Sequence, residues 1–263
     1  EIEALLQRPG VRLLTLVGPG GMGKTRLAVA VGANAFRARQ AALADGVFFV
    51  PLAPLRTPDA LAPAIATALG ITLQGGDPRY VLCQMLRQKR LLLILDNFEH
   101  LLLEGTDAVD LVVELLAAAP GVQLLVTSRE RLKLRNEQLY TVQALPFAAN
   151  ATLAEATASA AVRLFVQSVQ RVQGNFQLTA TNLAAVLRIC RLVQGMPLGL
   201  ELAAANLSSA PLTAVADTIE QSAEFLAVDW RDVPERHRSI RALFEHSWRL
   251  LSPSAAPAGK SPT

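Results

Sequence analysis

The chain has 263 residues, half of them apolar and under a fifth charged, with a net charge of +3. That composition describes a globular protein with substantial cores and excludes a disordered or fibrous one. Its apolar runs fall far short of the roughly 20 residues a membrane helix needs, and its scattered basic residues form no stripe for nucleic acid. No basic-then-apolar segment opens the chain, and Cys83 and Cys190 stand far apart without metal-ligand spacing. A cytoplasmic protein with two reduced thiols and no membrane contact is expected.

In chain order, residues 11–17 ("VRLLTLV") form a short apolar run between Pro-Gly and Gly-Pro, the signature of a buried strand. A glycine cluster follows, and then an alanine-rich stretch with helical spacing over residues 25–40. "GVFFVPL" (46–52) reads as a strand. Residues 57–70 read as a helix with a threonine cap, an early proline and a closing glycine. Another helix spans 77–88, capped by Asp77 with Pro78 at its first position. "RLLLILD" (90–96) is a strongly buried strand, 107–121 a helix stopped by Pro-Gly, "VQLLVTS" (122–128) a strand, and 137–145 a further one. Near-continuous apolar strands alternating with helices predict an α/β fold with a parallel sheet covered on both faces.

After Pro146 the pattern changes to helical periodicity alone, over 151–172, 179–195 and 196–207, with a further helix near 213–222 and an amphipathic one over 234–253. Three regions are expected: a nucleotide-binding α/β domain over 1–145, a small helical bundle over 146–211, and a linker leading into another domain over 212–263. The final ten residues, rich in Ser, Pro, Ala and Gly, are expected to fray.

The glycine cluster is "GPGGMGKT", Gly18-Pro19-Gly20-Gly21-Met22-Gly23-Lys24-Thr25. It fits G-x-x-x-x-G-K-[ST] between a strand and a helix, the setting that gives this motif its meaning. Glycines let consecutive backbone N–H groups turn inward, and with the helix N-terminus they make a positive nest for phosphate oxygens. Lys24 can reach β- and γ-phosphates, and the Thr25 hydroxyl can ligate Mg²⁺. Only four of the 25 basic residues are lysines, and one stands here; a compact ammonium is not interchangeable with a guanidinium. Arg26 follows in the first helical turn.

Asp96 ends the most hydrophobic strand, at the sheet edge where such folds bind ligands, and is the expected Mg²⁺ partner. The next residue is Asn97, which cannot accept a proton from water; Glu99 is the acidic candidate for that task and could instead cap the following helix. Thr127, Ser128 and Arg129 emerge from the next strand at the same edge, where Arg129 could read a γ-phosphate. "GMPLGLELAA" (195–204) opens a helix with Pro197 near its start.

Four segments in this order, "GPGGMGKTRLA", "LLLILDNFEHL", "LLVTSRERL" and "GMPLGLELAAANL", resemble the STAND signal-transduction ATPases, relatives of the NB-ARC modules of apoptotic and plant-resistance proteins. The likeness is greatest to the bacterial transcriptional-regulator type and covers nearly the whole chain. It implies a P-loop NTPase sheet, a helical domain and the start of a winged-helix domain at "FEHSWRLLSP". It implies Walker A at Gly18 to Thr25, the Walker B aspartate at Asp96, a sensor arginine at Arg129, and Pro197 beside the adenine. It further implies ATP or ADP with Mg²⁺, and a closed ADP form that opens with ATP and oligomerises. Sensor and effector domains would lie elsewhere in the parent protein, and any DNA contact would be made by them. Two departures point to a fragment: a "GRE" stretch would precede Glu1, and neither His237 nor His246 stands in the motif of the ADP-sensing histidine. The expectation is a regulatory ATP/ADP switch with slow hydrolysis. The alternatives are a scaffold that holds ADP without turnover and a DNA-associated ATPase of AAA+ type.

Overall fold

The computed structural model describes residues 1–102 and 105–221, which fall into two compact units. The first holds residues 1–18, 23–102 and 105–143; the second holds 19–22 and 144–221. The amphipathic segment expected over 234–253, with His237, His246, the expected winged-helix start and the C-terminal tail, lies outside the described residues.

In the first unit, α1 (Ile2–Leu6) precedes β1 (Leu13–Val17) and α2 (Lys24–Ala38). Then come β2 (Gly46–Pro51), α3 (Leu61–Leu69), α4 (Pro78–Leu86), β3 (Leu91–Asp96), α5 (Asp107–Ala118), β4 (Val122–Ser128) and β5 (Glu137–Thr141). The five strands form one sheet in the order β2-β3-β4-β1-β5, every neighbouring pair parallel. The parallel α/β architecture expected from the alternating pattern is the one observed. β1, β3 and β4 are mostly apolar and almost wholly buried because both faces are covered. Leu13, Leu91, Leu93, Leu95, Leu124 and Val126 join one core with Ile65 of α3, Leu82 and Leu86 of α4, and Leu111 and Leu115 of α5. On the opposite face α2 lies so close that a Cβ on Gly32 would stand 2.5 Å from Ile94 Cδ1.

Element ends follow local chemistry. The Asp77 side chain accepts from the Arg79 amide at 3.1 Å with Pro78 behind it, as the sequence leads one to expect. Thr57 takes an N-cap position without a side-chain bond, and a 3-10 turn over Pro58–Ala60 precedes α3. β5 stops at Thr141, four residues short of the expected end. Ile2–Leu6, one short turn of helix, has no counterpart in the sequence reading.

The second unit holds α6 (Leu153–Ala158), α7 (Ala160–Val172), α8 (Leu183–Leu192), α9 (Pro197–Asn206) and α10 (Leu212–Gln221). The single helix expected over 151–172 is two. Ser159 adopts extended backbone (φ −74°, ψ 141°), ends α6 and caps α7, its Oγ accepting from the Val162 amide. α6 carries its own capping box between Thr152 and Glu155. Val162, Phe165 and Val169 of α7 pack with Val186, Ile189 and Cys190 of α8, Leu200 and Ala203 of α9, and Val215 and Ile219 of α10. Arg188 ties α8 to α10 through Asp217 and Glu220. Both thiols are free and buried, and burial pushes that of Cys190 up to about 12.

Gly195 is fixed by geometry. It has φ +67°, its carbonyl accepts from the Leu145 amide at 3.0 Å, and a Cβ there would meet the Leu145 carbonyl oxygen at 2.3 Å. Only glycine combines that backbone with that approach.

Candidate functional site

The strand order decides where the polar residues meet. β4 lies between β1 and β3, so the carboxyl end of the strand that feeds the glycine loop and that of the strand carrying Asp96 flank the end of β4. The registers Leu16↔Thr127 and Leu95↔Val126 bring Thr127 level with Asp96 and beside the start of the loop.

Three hydroxyl and carboxylate groups converge there. Thr25 Oγ1 donates to Asp96 Oδ1 at 2.7 Å, and Thr127 Oγ1 donates to the same oxygen at 2.6 Å. The Asn97 amide donates to Thr127 Oγ1 at 2.9 Å. Thr25 is exposed, Asp96 half-buried and Thr127 fully buried. Two hard oxygen groups, a carboxylate and a hydroxyl, thus stand together at an open edge. That donor set fits Mg²⁺, which keeps several waters and takes few protein ligands. Among the described residues no group of three or more His, Cys, Asp or Glu could hold a metal ion.

Lys24 opens α2, and Gly23 before it has φ +83° with open space where a Cβ would stand. The Lys24 ammonium donates to the Gly18 carbonyl at 2.7 Å. Burial lowers its pKa from 10.5 to about 8; Glu99 and Asp96 oppose the shift and Arg129 adds to it. A lysine so placed gains most from an added negative charge.

Glu99 lies in a 3-10 turn over Phe98–Leu102 that begins after Asn97. Asn97 has φ +69°, a left-handed conformation that asparagine tolerates better than most residues. This backbone demand gives a physical reason for asparagine at that position. The turn buries Glu99, whose Oε1 accepts from Arg129 Nε at 3.2 Å, with the side chains 10% and 7% exposed. Glu99 therefore does not cap the next helix; it shares a buried ion pair with the arginine that follows β4.

The remaining candidates divide between the units. Gly18 belongs to the first and Pro19, Gly20, Gly21 and Met22 to the second. Pro197 is the first residue of α9, and the Leu198 amide beside it donates to the Gly21 carbonyl at 3.1 Å, both within the second unit. Arg26 is exposed on the first turn of α2. Sequence reasoning named the Asp96 edge but gave Thr127 no role. The signal was present, since Thr127 and Ser128 put two hydroxyls at the end of a largely apolar strand, but the partner of Thr127 depends on which strands are neighbours.

A parallel five-stranded sheet with a glycine loop between β1 and α2, and an aspartate ending β3, defines a P-loop NTPase-like fold. The chain belongs to the NACHT domain family of STAND P-loop NTPases, whose family profile matches residues 12–161. Proteins of Mycobacterium bovis and Mycobacterium tuberculosis, each named as a candidate HTH-type transcriptional regulator, are 37% identical over 92% of this chain. The matched region is 25% of each relative, so the chain spans a quarter of their length. Among solved structures, the Aeropyrum pernix ORC2 protein, in ADPNP-ADP complexes, superposes with a TM-score of 0.53 at 14% identity. The match covers 84% of this chain and 66% of that one, and establishes the fold. P-loop NTPase domains bind nucleotide, typically with Mg²⁺. Among the described residues no helix is long and apolar enough to cross a membrane.

Proposed function

We propose that this chain is the ATP/ADP-binding switch module of a larger cytoplasmic regulatory protein, with slow Mg²⁺-dependent hydrolysis of ATP. The observation that carries the reading is the hydrogen bond from the Thr25 hydroxyl to the Asp96 carboxylate, with a half-buried lysine beside Thr25 in a complete G-x-x-x-x-G-K-[ST] loop. In this reading residues 1–145 are the nucleotide-binding domain, 146–211 the helical domain, and 212–263 the linker into a further domain. Sensor and effector domains, an ATP-dependent homo-oligomer, and DNA contact through those other domains belong to the same proposal. The names of the mycobacterial relatives support a role in transcription.

Each residue then has a task. The loop amides from Gly20 to Thr25 donate to phosphate oxygens, and Lys24 exchanges its bond to the Gly18 carbonyl for the β- and γ-phosphates. Thr25 and Asp96 hold Mg²⁺, which when bound neutralises charge on the phosphates. Arg129 stabilises the charge that develops on the γ-phosphoryl group as water attacks phosphorus and the β–γ bridge breaks. Glu99 orients that water and takes its proton. Pro197 packs against the base, a role supported by the bond between the Leu198 amide and the loop at Gly21; Arg26 flanks the phosphates. Slow turnover follows because Glu99 must first leave a buried partner, and Asn97 offers no second carboxylate.

The same ion pair favours a second reading, a scaffold that holds ADP and does not turn over. Calorimetric titration with ADP and ATP, each with Mg²⁺, tests the binding that both readings share. Micromolar or tighter affinity is expected, and a folded chain that binds neither nucleotide refutes both. Multiple-turnover phosphate release separates them, since release at background rate with nucleotide bound selects the scaffold.

A further inference from the structure

The Thr127 hydroxyl has one proton, and the geometry decides where it goes. The Asn97 amide is a donor and can only give to Thr127 Oγ1, at 2.9 Å. The hydroxyl must then send its own proton to Asp96 Oδ1, at 2.6 Å. Asp96 Oδ1 already accepts from Thr25 at 2.7 Å, so two hydroxyl donors of fixed sense grip one carboxylate oxygen. Thr25 is exposed and opens a helix, whereas Thr127 is 1% exposed and clamped inside the sheet. The rigid half of the grip is therefore Thr127.

We infer that Thr127 is a positioning residue for the cation. By anchoring Oδ1, it fixes the carboxylate rotamer and leaves the other oxygen of Asp96 for Mg²⁺. Asn97 takes part through its backbone alone: its left-handed turn (φ +69°) aims the amide at Thr127. The inference rests on the proposed role of Asp96 as a cation ligand and extends it to a residue that would not itself touch the metal. Partners that orient a metal ligand commonly control its affinity for the ion by 10- to 100-fold. A hydroxyl is required at position 127 because no apolar side chain can both accept from Asn97 and donate to Asp96.

The test is the Mg²⁺ dependence of ADP binding by the 263-residue chain, measured calorimetrically in EDTA and then across a Mg²⁺ titration. Thr127→Val keeps the shape and deletes the hydroxyl. We expect its half-saturating Mg²⁺ concentration to rise about tenfold or more while affinity in EDTA stays within about twofold, with Thr127→Ser restoring the parent's Mg²⁺ response. Should Thr127→Val fail to fold, Thr127→Ala, which likewise has neither donor nor acceptor, serves for the same measurement. A folded variant whose Mg²⁺ response matches the parent's overturns the inference. So does a loss in EDTA as large as the loss in Mg²⁺, which marks a purely structural role. If the parent binds ADP with no Mg²⁺ dependence, the cation role of Asp96 falls, and the Thr127 inference falls with it.

Discussion

Lys24 gives the sharpest test of the phosphate loop, because burial has already weakened its hold on a proton. With a pKa of about 8 in the free protein, about nine molecules in ten carry a neutral lysine at pH 9, against about one in ten at pH 7. Phosphate oxygens favour the ammonium, so binding at pH 9 must draw a proton from solvent. Affinity should then fall about tenfold between pH 7 and pH 9, or ~1.4 kcal/mol, with a slope approaching one proton per nucleotide above pH 8.5. Nucleotide phosphates titrate below this window and do not obscure it. Calorimetry in two buffers of different ionisation enthalpy counts the proton directly. Lys24→Arg, charged throughout, should show no such slope.

Stability should move the other way. The folded pKa lies below the unfolded value, so between pH 8 and about 10.4 the unfolded chain binds more protons. The ligand-free protein therefore gains stability over that range, by about 1 kcal/mol from pH 7 to pH 9 relative to Lys24→Met. Affinity that stays flat from pH 7 to pH 9.5, with no proton uptake, would refute the placement of Lys24 against phosphate.

Three other outcomes are expected. Asp96→Ala should leave ADP binding in EDTA close to the parent's and abolish its enhancement by Mg²⁺; an undiminished Mg²⁺ effect in a folded variant would remove the metal role. Arg129→Ala should cost about 3–5 kcal/mol in urea denaturation because Glu99 is left buried without its cation. Adding Glu99→Gln should recover part of that loss, and strictly additive costs would show that the two are not coupled. Gly195→Ala should destabilise the second unit by about 2–4 kcal/mol, since both its φ and the Leu145 carbonyl oppose a Cβ. A change in thermal midpoint of under about 2 °C would contradict that geometry.

The sequence by itself determined the alternation of buried strands and helices, because apolar periodicity is a local property that any parallel sheet must satisfy. It also determined the glycine loop, since four glycines before Lys24 and Thr25 have a purpose only between a strand and a helix. The Asp77 cap was equally legible, for the same reason of short range. Tertiary structure decided what depends on neighbours far apart in the chain. The order β2-β3-β4-β1-β5 set Thr127 beside Asp96, 31 residues away, and only then did its hydroxyl acquire a partner. The left-handed turn at Asn97 buried Glu99 against Arg129, giving the candidate water-activating carboxylate an ion-pair partner that no local pattern announces. The break at Ser159 lay between these extremes: the serine is visible in the sequence, but helical periodicity runs through it. The extended backbone at Ser159 ends α6 and lets its hydroxyl cap α7. Hydrogen-bond partners in this site are set by strand register, and register is fixed by packing both faces of the sheet, which no short window of sequence contains.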